Sequence, residues 1–456
     1  MNAINVSMKF PAVAAAFLLA GCAIGPNYSK PEAIVPEQYK EAGDWVVAQP
    51  KDAVPKGKWW EIFNDPVLDS LEEQVSVTNQ TLASAEARYR QAHAAVAAAR
   101  SGFFPELGGS AGATRARGTA NRYSVAIDAR WEIDLWGRIR RLVEAARAGE
   151  EASAADLEAA RLSLQGELAT NYFQLRVLDV GRDLLAGTVK AFESSYKVTQ
   201  NRYNAGVAAK VDVVTAESQL LSTQAQALDL ESTRATLEHA IAVLIGAPPA
   251  SLSIERAPFT TKIPDIPPGV PTTLLERRPD IAAAERRMAA ANARVGVAQA
   301  AYFPALSLTG SAGFASSSLS SLFSAPSRFW SIGAGLAGTI LDFGARGAAV
   351  DTARAAYDEA VADYRQTVLT AFQEVENNLA AVHWLAEESK VEREAVRAAR
   401  ESTTLTTNQY RAGTASLLNV VVIQANQLNE ERAAVNLLGR HLTATVALIR
   451  ALGGSW

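Results

Sequence analysis

The chain has 456 residues, 48% of them hydrophobic and 20% charged, and 44 Lys and Arg against 48 Asp and Glu give a net charge of -4. That near balance argues against a chain built to hold nucleic acid, which would carry a basic surplus. The single cysteine excludes an internal disulfide or a zinc finger, and the four histidines stand too far apart for a metal site. We therefore expect neither a metal nor a cofactor, apart from a covalent lipid.

The first 22 residues are predicted to be a lipoprotein signal. Phe10–Ala20 is an apolar stretch of signal-peptide length, too short to span a bilayer. It leads into a Leu-Ala-Gly-Cys motif ending at Cys22, which resembles the lipobox of bacterial lipoproteins. The resemblance implies removal of residues 1–21, attachment of lipid (palmitate) to the Cys22 thiol and, because Ala23 rather than Asp follows, sorting to the outer membrane. The alternative is an ordinary secretory signal with a chance cysteine.

The rest of the chain is predicted to be an internal duplication. The segment 103–107 recurs 199 positions later at 302–306, and 201–214 recurs 207 positions later at 408–421, with seven of its fourteen residues identical. Repeats in the same order indicate two copies of one unit. We place the first repeat at 61–246 and the second at 277–456. The proline-containing segments 22–60 and 247–276 are expected to be extended connections.

Each repeat is predicted to contribute one β-hairpin. Apolar and polar residues alternate strictly over Tyr123–Leu135, as in a strand with one apolar face, and the stretch is long enough to cross a bilayer. The strands are expected within about 107–136 and 306–341. A soluble β-sandwich strand would alternate equally well, but four strands between long helices are too few for a sandwich. Aromatic residues cluster near the strand ends, as in a membrane-interface girdle: Phe103, Phe104, Trp136, Tyr302, Phe303, Phe329 and Phe343.

Long helices are predicted to follow each hairpin, at about 138–203 and 210–246, and at about 345–410 and 415–453. Apolar residues recur every 3.5 positions from Leu157 onward, the repeat of helices packed in a coiled-coil manner. A helix of sixty-odd residues extends roughly 100 Å. Four strands leave open edges that hydrocarbon does not tolerate, so an oligomer must close the barrel.

The motifs together resemble the TolC-like outer-membrane factors. These motifs are Trp59–Pro66, Arg277–Ile281, the two Phe-Pro corners and the paired Tyr-x-Ala-Gly turns. The lipobox and Arg277–Ile281 place the chain nearest the NodT-type lipoprotein branch. The resemblance implies a mainly α fold with a transmembrane β part, as a homotrimer whose twelve-stranded β-barrel continues into an α-helical periplasmic barrel.

The resemblance also implies a function in transport. The chain would be the outer-membrane duct of a tripartite efflux system, linked to multidrug resistance, and not an enzyme. Its expected partners are a periplasmic adaptor, an inner-membrane transporter, usually the proton-driven resistance-nodulation-division type, and outer-membrane lipid. The cargo stays open among drugs, metals, solvents, phenolics and siderophores. A lipid-anchored coiled-coil structural or adhesive envelope protein is the alternative, but it would not need the paired strands.

Two further expectations concern the ends of the long helices. The tips that contact the adaptor would be the two turns, at Asn204, Gly206, Arg411 and Gly413, although both glycines could simply terminate helices. Alignment on the second turn places the family's acidic gate positions at Asn419 and Val422, which are uncharged here. Leu418 would form an apolar constriction ring, and Tyr410 would latch the closed state through its hydroxyl. The alternative is that Leu418 and Val422 pack in a helix seam.

Overall fold

A computed structural model describes residues 23–32, 35–36, 38–40, 57–257, 259, 262–264, 266 and 277–454. The expected signal peptide, Cys22, residues 41–56 and the linker end 267–276 lie outside the described residues. The chain divides into two compact units. The strand unit comprises Met1–Ala33, Glu86–Asp156 and Asp280–Thr367, and the helical unit comprises Ile34–Ala85, Leu157–Pro279 and Val368–Trp456. Each unit therefore takes parts from both sequence repeats.

Among the described residues, three α-helices of the first repeat have counterparts of equal length in the second. The paired helices have 22, 67 and 35 residues in each repeat. In chain order the helices are α1 Pro66–Thr78, α2 Gln80–Ser101, α3 Arg138–Asn204, α4 Lys210–Leu244, α5 Pro279–Ala300, α6 Ala345–Arg411 and α7 Leu417–Ala451. Short 3-10 turns lie at Trp59–Phe63, Pro249–Ser251, Leu319–Ser321 and Ala325–Ser327.

The helix ends differ from the sequence expectations for local reasons. Helix α4 ends at Leu244 rather than 246 because Gly246 adopts a φ of 70° that an α-helix cannot continue. Helix α7 begins at Leu417 rather than 415, where the Ser416 side chain accepts from the backbone N–H of Asn419 as an N-cap. Helices α1, α2 and α5 were not predicted from the sequence. Their alanine-rich or mixed composition carries no long apolar repeat.

The seam predicted along α3 is partly buried. Leu168, Leu175, Leu185 and Phe192 are buried in the helical unit, whereas Tyr203 near the helix end is exposed. Within the described part of the chain, no helix combines the length and apolar character that a bilayer span requires.

The sheet joins the hairpins of both repeats. Its four antiparallel strands are β1 Glu106–Thr114, β2 Arg122–Ile133, β3 Ala305–Ser316 and β4 Arg328–Ala337, in the order β1-β2-β3-β4. The central pair crosses the repeats, with Ile127 opposite Ala312. The second hairpin ends at Ala337, earlier than the expected 341, and residues 338–341 continue without strand pairing.

The C-terminal ends of the returning helices are capped by equivalent positions of the two repeats. In the first repeat, Asn79 Nδ2 donates to the Leu244 carbonyl at 2.7 Å. In the second, Arg278 donates to the Ala451 carbonyl at 3.1 Å and to Glu374 at 2.7 Å. The Arg277–Ile281 motif therefore has a structural role, because Arg278 satisfies a carbonyl that the helix leaves without an internal donor.

Candidate functional sites

The two faces of the sheet differ sharply in polarity. On one face, Asp128 accepts hydrogen bonds from Ser110 Oγ at 3.0 Å and Ser311 Oγ at 2.7 Å. Arg130 lies opposite Glu106 and Thr309 on that same face. The other face carries apolar side chains on all four strands, with Leu308 of β3 half-buried and the others exposed: Leu107, Ile127, Trp131, Trp330, Ile332 and Leu336. This arrangement suits a sheet with lipid on one side and water on the other.

Aromatic residues gather at one end of the sheet. Trp136 stacks on Phe303 with ring centroids 4.8 Å apart, and its indole N–H donates to the Pro304 carbonyl at 2.8 Å. Phe104 and Phe343 are largely exposed. Phe329 departs from the predicted girdle because it lies near the start of β4, opposite Gly313, at the other end of the sheet and on the Asp128 face.

Charged residues fix the junctions between strand and long helix. After β2, Asp134 accepts the backbone N–H groups of Ile139 and Arg140 at 3.0 and 2.9 Å. The second repeat uses Asp342 in the same way with Arg346. The Arg346 guanidinium holds the pKa of Asp342 below its ordinary value. A carboxylate at the start of a helix also complements the helix dipole.

The turns between long helices have the same geometry in both repeats. Gly206 and Gly413 adopt φ values of 77° and 78°, which favour glycine. The backbone N–H of Gly206 donates to the Tyr203 carbonyl at 2.9 Å, and that of Gly413 donates to the Tyr410 carbonyl at 3.0 Å. The four positions predicted to contact the adaptor are all exposed: Asn204, Gly206, Arg411 and Gly413.

The residues predicted to form the gate lie at the start of α7. Leu418 is 62% exposed and Val422 49%, whereas Leu417 and Val420 are 5% and 3% exposed. This chain therefore packs Leu417 and Val420 into its own core and leaves Leu418 and Val422 outside it. Asn419 is also exposed.

Tyr410 has a partner in the first repeat that was not predicted from the sequence. The Arg202 guanidinium lies over the Tyr410 ring, 4.9 Å from its centroid. This contact uses the ring face of Tyr410, and the latch through its hydroxyl stays a prediction. Arg202 lies in the last turn of α3 and Tyr410 in the last turn of α6, so this cation–π contact joins the two repeats near their turns. The only sequence feature that pointed to this contact was an arginine in the last turn of α3.

A buried ion network was also missed. Asp179 accepts from Arg234 Nε at 2.7 Å and from Arg176 at 3.3 Å. The same arginines donate to the backbone carbonyls of Ile254 and Glu255, both at 2.7 Å. The network thus holds the segment after α4 against α3. No short sequence motif indicates this network, because Asp179 and Arg234 are 55 positions apart.

Comparison with known proteins assigns the fold to a family. The sequence matches the outer membrane efflux protein family over residues 71–247 and 270–454. It is 30% identical over 455 residues to TtgC of Pseudomonas putida, a probable efflux pump outer membrane protein, covering 97% of this chain and 94% of that one. It is also 30% identical over 469 residues to OpmQ of Pseudomonas aeruginosa, a pyoverdine export outer membrane protein, covering 99% and 98%.

A solved structure agrees with these matches. The outer-membrane channel OprN superposes with a TM-score of 0.88 at 32% identity, covering 95% of this chain and 100% of that one. The polar and apolar sheet faces, the aromatic strand ends and the duplicated helical hairpins fit such a channel. The chain belongs to the outer membrane efflux protein family, the TolC-like outer-membrane factors.

Proposed function

We propose that this outer-membrane channel is a lipid-anchored, passive duct whose periplasmic gate is apolar. As a family member it forms a trimeric channel and works as the outer-membrane component of an efflux system, with an adaptor and an inner-membrane pump. We assign the pump to the proton-driven resistance-nodulation-division type. This assignment rests on the resemblance to the TolC-like outer-membrane factors, whose usual pump is of that type.

The observation that carries the gate proposal is the outward orientation of Leu418 and Val422. The two residues are four positions apart, so their side chains project from one face of α7. Three-fold symmetry would turn each into an apolar collar. A narrow apolar collar blocks ions by dewetting rather than by charge. Asn419, between them in sequence, is exposed and uncharged, so it adds no acidic ring.

The neighbouring turns are proposed to be the adaptor contact. Asn204, Gly206, Arg411 and Gly413 are exposed, and the two turns share one backbone geometry. An adaptor that meets both repeats would therefore find similar surfaces at two places in each subunit. The Arg202–Tyr410 contact also supports a closed state held at these turns, because separating the two turns would break the contact.

The lipid anchor is proposed from sequence. Cys22 is the single cysteine and stands at the end of the lipobox, so its thiol is the available attachment point for lipid. Ala23 at the next position supports delivery to the outer membrane.

The proposed duct does not choose its cargo. The two relatives named above are equally identical to this chain, yet one is named for an efflux pump and the other for pyoverdine export. An uncharged gate adds no charge selection of its own. The pump and adaptor would therefore set the substrate.

Single-channel conductance in planar bilayers tests the gate. Unmodified protein should show low resting conductance and little block by multivalent cations, because its collars carry no charge. Val422→Asp should introduce cation block, and Leu418→Ser should raise the resting leak. The matched control is Val211→Asp, at the position of α4 that corresponds to Leu418 by the 207-residue repeat offset, which is also exposed. It should introduce no block if the second repeat forms the gate. Strong cation block in the unmodified protein would indicate an acidic ring elsewhere and would contradict the proposal of an apolar gate.

A further inference from the structure

The first described residues lie in a groove between α3 and α5 of the strand unit. The backbone N–H of Ile24 donates to the Trp136 carbonyl at 3.0 Å. Asn292 Nδ2 donates to the Pro26 carbonyl at 3.1 Å. Farther along, the Tyr28 hydroxyl donates to Glu285 at 3.3 Å, and Lys30 pairs with the same carboxylate at 3.3 Å. Residues 23–30 have no regular secondary structure, so these contacts, rather than a helix or sheet, determine their path.

The groove is shaped by small residues. A Cβ on Gly25 would lie 2.4 Å from the Gly296 Cα, and Gly25 has a φ of 100°. A Cβ on Gly137 would lie 2.7 Å from the Ala23 Cα. The backbones therefore touch at two points that only glycine permits. The Tyr28 side chain packs against a buried cluster of three alanines: Ala148, Ala289 and Ala290.

Arg141 makes three polar contacts to this segment, more than any other described residue. Its side chain, from a residue only 4% exposed, donates from Nε to the Ile24 carbonyl at 3.2 Å. A terminal nitrogen donates to the Gly25 carbonyl at 3.1 Å and to Asn27 Oδ1 at 2.9 Å. Its other terminal nitrogen pairs with Glu144 at 2.7 Å. The planar guanidinium can reach several acceptors at once, which an ammonium on a flexible stem does not reproduce.

We propose that Ala23–Lys30 is a docked strap, that Arg141 is its positioning residue, and that the strap fixes where the lipid-bearing end of the chain meets the membrane. The last part rests on the lipid anchor proposed above. Ala23 contacts Gly137, next to Trp136 in the aromatic cluster at the strand ends. Such aromatic residues mark the membrane interface.

The strap limits how far the anchor can move. Cys22 is one Cα–Cα step of about 3.8 Å from Ala23. An undocked segment of eight residues could carry its end over roughly 26–29 Å. With the strap docked, the acyl chains would instead enter the membrane beside the strand–helix junction of the same subunit.

Spin labelling tests the strap without the lipid. The starting protein carries Cys22→Ser, which removes the single cysteine, and a secretory signal in place of residues 1–21. Ser29→Cys then provides one exposed labelling position within the strap. In purified trimer, the electron paramagnetic resonance spectrum should show an immobilised label on the nanosecond timescale. Arg141→Ala should shift the spectrum to the mobile component, and Arg141→Lys should also do so in part.

Two further variants separate docking from folding. Gly25→Ala should release the strap from its own side, because the added Cβ collides with Gly296 while α3 is unchanged. Arg138→Ala is the matched control, one turn before Arg141, because Arg138 pairs with Glu132. It should leave the label immobile. A mobile label in the starting protein, or an immobile one in trimers of both Arg141→Ala and Gly25→Ala, would overturn the strap.

The lipid is followed separately in the natural chain. Labelled palmitate should be incorporated equally with Arg141 and with Arg141→Ala, since the strap positions the anchor and does not attach it. If the natural chain incorporates no lipid, the anchoring role is overturned, while the spectra still decide whether the strap docks.

Discussion

Glu72 is a carboxyl group that the helical unit buries without a partner. It lies on the buried face of α1 with Leu68, Leu71 and Val75 and is fully shielded from solvent. Within the described residues, neither of its carboxyl oxygens has a hydrogen-bond partner. Burial, and to a lesser extent the nearby charge of Asp69, raises the pKa of Glu72 well above its ordinary value of 4.5. The folded protein therefore holds a proton on Glu72 more tightly than the unfolded chain does.

This residue should make stability fall as the pH rises. Because the pKa of Glu72 is higher in the folded state than in the unfolded state, the folded state binds the proton more tightly. The free energy of unfolding therefore falls as the pH rises from about 4.5, until the folded-state pKa is passed. Glu72→Gln should flatten this dependence, and Glu72→Leu should stabilise by about 1–3 kcal/mol, since it removes an unsatisfied buried group. The measurement is the midpoint of heat-induced unfolding from pH 5 to 8.

The neighbouring carboxylate supplies the control. Glu73 is exposed and pairs with Lys58 at 2.6 Å, so Glu73→Gln should leave the pH dependence unchanged. Equal slopes for unmodified protein and Glu72→Gln would show that Glu72 does not carry the effect.

At the scale of elements, the Asp179 network ties α3, α4 and the segment after α4 together. Asp179 is the carboxylate shared by Arg176 and Arg234, and all three are buried. Asp179→Ala would leave two buried arginines without their shared anion. Breaking a buried ion pair in this way costs about 3–5 kcal/mol, so we expect the free energy of unfolding to fall by about that amount. Detachment of Ile254 and Glu255 should follow.

Limited trypsin digestion measures this detachment. Cleavage after Arg256, the residue that follows the pinned segment, should become faster in Asp179→Ala. Asp183→Ala, one turn farther on α3, removes an exposed carboxylate that pairs with Arg182, and should leave the rate unchanged. If both variants are cleaved at the same rate, the network does not hold the segment.

Long, regular elements were predictable from the sequence, and contacts between distant positions were not. Alternation over Tyr123–Leu135 predicted β2, and the apolar repeat from Leu157 predicted α3, because each period repeats many times. The same patterns could not give the partners of single polar residues. Arg202 over Tyr410, Asp179 with Arg234, and Arg141 with Gly25 each join positions far apart, and only the packed chain brings them together.

At the scale of the whole molecule, the described residues of one chain form an open sheet of four strands. The outer strands β1 and β4 have neighbours on one side within the chain. A strand edge in hydrocarbon leaves backbone groups without partners, so subunits must supply them to one another. Three copies of four strands give the twelve-stranded barrel of the family. Most of the membrane-buried surface then belongs to the barrel rather than to the lipid proposed on Cys22.

Removal of the lipid should therefore leave the trimer intact. Cys22→Ser, exported with a secretory signal, should give a heat-resistant trimer in the outer membrane that no longer incorporates labelled palmitate. The reason is that a single acyl chain anchors only marginally compared with a membrane-spanning structure. Gel mobility before and after heating, together with membrane fractionation, makes the measurement. Recovery of a soluble periplasmic monomer would contradict this division of roles.

The equal lengths of the paired helices restrict how such a duct can change its reach. Removing seven residues from the part of α3 that packs against α4 shortens it by about 10 Å at 1.5 Å per residue and preserves the phase of a 3.5-residue repeat. The same removal is then required in α4, or the hairpin no longer returns in register, and in α6 and α7, or the repeats lose their match of 67 and 35 residues. Natural ducts that bridge a thinner or thicker periplasm should therefore differ from this one by whole heptads, gained or lost at four sites together.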